Sequence, residues 1–160
     1  RLFYELYNFK TIGLRYFNVF GKRQNPKGDY AAVIPRWINN VKNNENILIF
    51  GDGKTSRDFC PVANVVQANI LAGIKNLKNK NYIFNVGTGS RTSLKSLSEI
   101  IYNYFDINKN NYKIFYKSFR QGDVKHSLSS INHIKKVLGY KPNTTFHEGI
   151  KQTIKWFKVN

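Results

Sequence analysis

The sequence holds no methionine and a single cysteine, Cys60, among 160 residues. One thiol excludes an internal disulfide and points to a reducing compartment, so a cytoplasmic protein is expected. Cys60 lies in an apolar run with Phe59, Pro61 and Val62, and no histidine stands near it in sequence to activate it as a nucleophile. No charged-then-apolar leader opens the chain. No apolar run approaches the roughly 18 residues that span a bilayer, so a soluble protein without a membrane partner is expected. Because the chain starts at Arg1, a processed or truncated product is also expected.

Acidic residues are scarce too: 9 Asp and Glu stand against 26 Lys and Arg, a formal net charge of +17. Such an excess attracts phosphate polymers at any sequence. Here, however, Lys outnumbers Arg 19 to 7, Asn reaches 21, and the lysines are scattered rather than gathered into a run. AT-rich coding would produce that bias, and no nucleic-acid partner is expected from it. What remains is globular: 41% hydrophobic and 15% aromatic, at a length that suits one domain or a large piece of one.

The stretch Gly51-Asp52-Gly53-Lys54-Thr55-Ser56-Arg57-Asp58-Phe59 sets one arginine just past a glycine-rich turn, between two apolar runs. A planar guanidinium in that position suits a pair of phosphate oxygens. Gly-Asp-Gly is equally a hairpin turn, and Arg57-Asp58 equally a surface pair.

Read in order, the chain alternates helix and strand, which makes it α/β. Residues 1–7 look like the tail of a helix, with Leu2, Phe3, Leu6 and Tyr7 at helical spacing. Residues 11–17 have the composition of a buried parallel strand that delivers Asn18 to its carboxyl end, where open α/β sheets bind ligands. A helix is expected over 31–44 with Pro35 in its first turn, then short strands over 47–50 and 56–59, and a helix from Pro61 to about Asn76. Residues 82–86 read as a strand ending in Gly87-Thr88-Gly89, which lacks the third glycine of a dinucleotide loop and reads as a strand-to-helix turn. Thr92 or Ser93 caps a helix to about Phe105, and 112–116 alternates like a half-buried strand. Arg120, Asp123 and His126 follow in a polar loop. Ser129 or Ser130 can cap a helix ended by Gly139, and Thr145 with Glu148 forms a capping box for the last one.

Leu14-Arg15-Tyr16-Phe17-Asn18-Val19-Phe20-Gly21 resembles the extended short-chain dehydrogenase/reductase family. Further blocks follow in that family's order: Ala31-Ala32-Val33-Ile34-Pro35, residues 51–59, Asn85-Val86-Gly87-Thr88-Gly89, Gly122-Asp123-Val124-Lys125-His126-Ser127, and Leu138-Gly139-Tyr140-Lys141-Pro142 with Phe146-His147-Glu148-Gly149-Ile150. Together they cover nearly the whole chain. Ala-Ala-Val-Ile-Pro combined with Ser-Arg-Asp-Phe-Cys looks most like the bacterial UDP-N-acetylhexosamine 4-epimerase group.

The resemblance implies the carboxyl-terminal part of such an enzyme: the last strands of a Rossmann-like sheet plus the smaller α/β domain that binds the UDP-sugar. Residues 1–18 would end the NAD-binding domain, 19–160 would be mainly substrate-binding, and 61–89 would pack back on the Rossmann sheet. The family's dinucleotide loop, catalytic serine and Tyr-x-x-x-Lys precede Arg1, so no catalytic residue is assigned. With NAD as cofactor, Tyr16 and Phe17 would touch its nicotinamide end. Asn18 and Arg57 would hold the pyrophosphate, Arg120 would supply a second guanidinium, and Asp123 would accept from the ribose hydroxyls. Ala32 and Val33 would line the uracil slot, and the backbone of Leu48 and Phe50 would face the base. No metal is implied. The implied activity of the whole enzyme is NAD-dependent 4-epimerisation of a UDP-N-acetylhexosamine or UDP-hexose by transient oxidation at C4, in a homodimer, with the isolated chain inactive. Another epimerase or dehydratase of the same family is the nearest alternative, and a basic nucleic-acid-binding module, which would need its lysines on one face, is the alternative from a different class. Two departures stand out: Pro61, where the family usually has an aromatic or histidine, and Ala63, where it usually has an acidic residue that would favour the helix dipole.

Overall fold

The computed structural model describes residues 2–28, 31–77 and 82–159. Arg1, expected to open the first helix, lies outside them. The elements are α1 (Leu2–Tyr7), β1 (Ile12–Tyr16), β2 (Val19–Phe20), α2 (Val33–Lys42), β3 (Ile47–Phe50), β4 (Ser56–Arg57), β5 (Cys60–Pro61), α3 (Val62–Ile74), β6 (Tyr82–Val86), β7 (Thr92–Ser93), α4 (Leu94–Tyr104), β8 (Ile114–Lys117), α5 (Asn132–Leu138) and α6 (Phe146–Val159).

The strands pair two by two. β1 runs parallel to β6, β2 to β5 and β3 to β8, while β4 and β7 are antiparallel. Parallel pairs need crossover connections, and the helices supply them.

Two apolar cores result. One joins α2, α4 and α6 through Trp37, Ile38, Leu97, Ile101, Ile150 and Phe157, closed by Ile47 and Ile49 of β3. The other joins β6, α3 and α5 through Phe84, Val86, Ala68, Ile134 and Leu138, with Cys60 and Tyr140 at its centre. The chain passes between them at β2 and β5, so residues 18–20 and 57–61 lie on the seam.

Several boundaries differ from those read in the sequence. The strand expected over 56–59 is two, β4 and β5, because Asp58 turns inward between them and is fully buried. β3 and β4 do not form a hairpin: each pairs with a distant partner across the Gly51 and Gly53 turn, where both φ angles are positive (85° and 77°). Pro61 closes β5 and stands as the N-cap of α3 rather than inside it. β8 starts at Ile114, and Tyr112 instead stacks on Tyr102, ring centroids 4.2 Å apart.

The seryl caps divide. Ser93 caps α4 by accepting from the Ser96 amide at 3.1 Å. Neither Ser129 nor Ser130 caps α5, whose N-cap is Ile131 without a side-chain bond, because Ser129 is buried against Asp58. The Thr145–Glu148 capping box is present: the Thr145 amide and hydroxyl each donate to Glu148 Oε2 at 2.8 Å, and the Glu148 amide donates to Thr145 Oγ1 at 3.2 Å.

β1 is parallel but only half covered, with Gly13, Arg15 and Tyr16 exposed. Leu2, Phe3, Leu6 and Tyr7 of α1 are all at least 61% exposed, as is a stripe of Val66, Ile70 and Ile74 at four-residue spacing on α3 at 51–74%. No helix among the described residues is long and apolar enough to cross a membrane.

Candidate functional site

The seam between the two cores holds a cavity of about 640 Å³. Asn18 enters it from just past the end of β1, exposed, with its carbonyl accepting the Cys60 amide at 3.0 Å. Ala32 and Val33 enter at the start of α2. Leu48 and Phe50 come from β3, where strand alternation buries Ile47 and Ile49 behind them. Arg57, Arg120 and Asp123 complete the polar wall. The eight residues expected to bind substrate thus line one cavity, although they span more than 100 positions of sequence.

Arg57 is held on three sides. Its Nη1 donates to the carbonyls of Ser56 (3.0 Å) and Lys125 (3.2 Å), and Nη2 donates to Asp123 Oδ1 at 2.8 Å. Its side chain is 14% exposed against 39% for Asp123, so this pair is better shielded than a surface ion pair. Arg57 is therefore paired with Asp123 and not with its neighbour Asp58. The Arg120 guanidinium carbon sits over the Phe50 ring, 3.8 Å from its centroid. That contact holds a cation at the cavity wall.

The cavity holds residues that were not picked out in the sequence. Arg36, Trp37 and Asn40 line it one and two turns after Val33, on the same face of α2. Arg36 is steadied by the Gly28 carbonyl (3.0 Å) and Asn40 by that of Asn46 (2.8 Å). The apolar stripe of this helix hides them, since Trp37 belongs both to the core and to the cavity wall. The lining carries three guanidiniums against one carboxylate, a charge balance suited to an anionic ligand with a planar part.

Tyr16 and Phe17 do not line this cavity. Tyr16 is 50% exposed, with its hydroxyl donating to Asn69 Oδ1 at 3.0 Å, and the Phe17 amide donates to the Val86 carbonyl at 2.9 Å. By register Tyr16 stands beside buried Val86, on the side that α3 covers, and Phe17 lies just past the end of β1. The Gly87-Thr88-Gly89 turn is not a phosphate loop: the amides of Thr88 and Gly89 both donate to Asp58. Cys60 is no nucleophile, because burial, helped by the nearby Asp58 charge, pushes its thiol up to about 12. Among the described residues no group of three metal-ligating side chains occurs.

The fold and the cavity define an α/β chain of three parallel strand pairs and one antiparallel pair, with an anion-suited cavity beyond the end of a strand. The model of the NAD dependent epimerase/dehydratase family matches residues 2–87. A solved UDP-glucose 4-epimerase from Thermotoga maritima, with UDP-glucose, superposes with a TM-score of 0.90 at 35% identity, over 99% of this chain and 49% of that one. A UDP-N-acetylglucosamine 4-epimerase from Methanobrevibacter ruminantium, in complex with UDP-N-acetylmuramic acid, gives 0.88 at 38% identity, over 99% and 49%. A UDP-N-acetyl-alpha-D-glucosaminuronate decarboxylase from Bacillus cytotoxicus is 30% identical over 97% of this chain and 48% of its own length.

The chain belongs to the NAD dependent epimerase/dehydratase family. It spans about half the length of the curated relatives it matches.

Proposed function

We propose that the protein is an NAD-dependent nucleotide-sugar 4-epimerase acting on a UDP-N-acetylhexosamine or UDP-hexose, and that these 160 residues supply its nucleotide-binding half. The observation that carries this reading is the gathering of Asn18, Arg57, Arg120 and Asp123 with Ala32, Val33, Leu48 and Phe50 around one cavity. Two guanidiniums neutralise a diphosphate, a carboxylate accepts from a ribose diol, and a slot of small and apolar side chains takes a flat base.

A 4-epimerase has to hold the nucleotide firmly while the sugar reorients between oxidation and reduction at C4. Binding energy on the non-reacting UDP part keeps the oxidised sugar from leaving. In this reading Arg57 and Arg120 anchor, and no residue of the chain does the chemistry. NAD, when bound, supplies the hydride acceptor. In this reading Tyr16 and Phe17, at and just past the carboxyl end of β1, would touch its nicotinamide end.

The domain reading follows the same line. Residues 1–18 end the cofactor domain, 61–89 pack back on it, and the remainder of 19–160 builds the substrate domain. The parallel β1–β6 pair with α3 over it supports that division, as do the exposed apolar faces of α1 and α3, which suit burial under the rest of a larger sheet.

Arg57→Ala and Arg120→Ala, each in the protein as its gene encodes it, should weaken UDP binding in calorimetry by about 1.5–3 kcal/mol. Unchanged UDP affinity in both variants would remove the assignment. Residues 1–160 alone should show no epimerase activity on UDP-glucose or UDP-N-acetylglucosamine, and measurable turnover would remove the claim that the chemistry lies elsewhere.

A further inference from the structure

Asp58 is fully buried, yet five donors converge on it. Oδ1 accepts from the Thr88 amide at 2.9 Å and the Thr88 hydroxyl at 2.7 Å. Oδ2 accepts from the Gly89 amide at 3.0 Å, the Ser129 amide at 3.3 Å and the Ser129 hydroxyl in a very short contact. Burying a carboxylate is costly, and an apolar side chain of similar size would fill the space at no such cost. A charge with every acceptor site used does something an apolar filler does not: it fixes distances between backbone segments.

The segments it fixes are those of the binding cavity. Residues 56–58 and 125–127 are laced together: the Ser56 amide donates to the Lys125 carbonyl (2.9 Å), the Ser127 amide to the Ser56 carbonyl (3.0 Å), and the Asp58 amide to the Ser127 carbonyl (2.9 Å). Arg57 is aimed by two carbonyls of that lacing, Ser56 and Lys125, and meets Asp123 at its near end. Asp58 ties the far end to the turn after β6. Space there is tight as well, since a Cβ on Gly87 would stand 2.7 Å from Asp58 Oδ2.

We propose that Asp58 is a positioning residue for nucleotide binding: it sets the Arg57 guanidinium and the Asp123 carboxylate at their working separation, and it acts on the ligand through Arg57. This rests on the reading of the cavity as a UDP site. An asparagine in its place would aim an NH2 group at one pair of donors and loosen the lacing at that end.

The test is UDP binding by calorimetry in the protein as its gene encodes it, with Asp58→Asn and Ser129→Ala each made beside the native Arg57 and beside Arg57→Ala, and with thermal melting of every variant. With Arg57 present, UDP affinity should fall about tenfold in Asp58→Asn and about threefold in Ser129→Ala, and beside Arg57→Ala each loss should shrink to less than about twofold. Equal losses in both backgrounds would mean a general structural role and overturn the proposal, as would unchanged affinity beside the native Arg57. Where Asp58→Asn does not fold, the milder Ser129→Ala decides by the same comparison. Should Arg57→Ala itself leave UDP affinity untouched, the UDP reading of the cavity fails and Asp58 has no nucleotide to position.

Discussion

Gly149 of α6 lies directly beneath Pro61 of β5: a Cβ there would come within 2.7 Å of Pro61 Cγ and 3.0 Å of Phe20 Cζ. Pro61 is thus half of a close contact that lets the last helix settle on the seam. Gly149→Ala should destabilise the fold by roughly 1–3 kcal/mol through overpacking. Denaturant unfolding measures it, and pairing the change with Pro61→Ala should restore part of the loss. A Gly149→Ala variant as stable as the parent would show that the helix can shift at no cost.

Alkaline pH acts on the second core. Burial pushes the Cys60 thiol up to about 12 and raises the Tyr140 hydroxyl above its usual range. Both groups are held neutral in the fold, so the unfolded chain gives up their protons first. Their contribution is complete below an ordinary thiol value of about 9 and is lost as pH rises from there towards 12. Melting temperature should decline across that window, and iodoacetamide should label native Cys60 far more slowly than the urea-unfolded thiol. Rapid native labelling at pH 8 would contradict the burial.

Acid acts on the last helix. Backbone and hydroxyl bonds from Thr145 lower the Glu148 carboxyl below its usual 4.5. A lowered value means stability that is present above that point and fades as pH falls through it. Glu148→Gln should lower the melting temperature at pH 7 and flatten its decline on acidification. A parallel decline in parent and variant would remove the cap from the account.

Phe50 rests the Arg120 guanidinium on its ring. Phe50→Leu should leave the fold intact and, if the cavity binds UDP, weaken UDP by about two- to fivefold, in keeping with the 0.5–1 kcal/mol of an exposed cation–π pair. Calorimetry decides, and unchanged affinity would mean that Arg120 finds its place without the ring.

The cavity wall was legible because each of its residues sits in a short block with its own signal: a strand end at Asn18, a glycine turn before Arg57, a polar loop holding Arg120 and Asp123. Helices with a clean apolar stripe, such as α4 and α6, were legible for the same local reason. Asp58 was not, because nothing next to a surface-looking Arg-Asp pair announces that three donor residues 30 to 71 positions away will meet there. The same contact withdrew Ser129 from capping α5 and broke the expected strand over 56–59 in two. Arg36 and Asn40 stayed hidden because a helix face that lines a cavity keeps the periodicity of one that lines a core.

Arg57, matched by a carboxylate 2.8 Å away, presents an arriving anion with a dipole rather than a bare charge. Its pull therefore fades quickly with distance. Attraction from afar falls to Arg36, Arg120 and the scattered lysines behind the +17 net charge, and this is the component that added salt screens. If the cavity binds UDP, capture and registration fall to different side chains, and ionic strength should govern how often the ligand arrives much more than how it is seated.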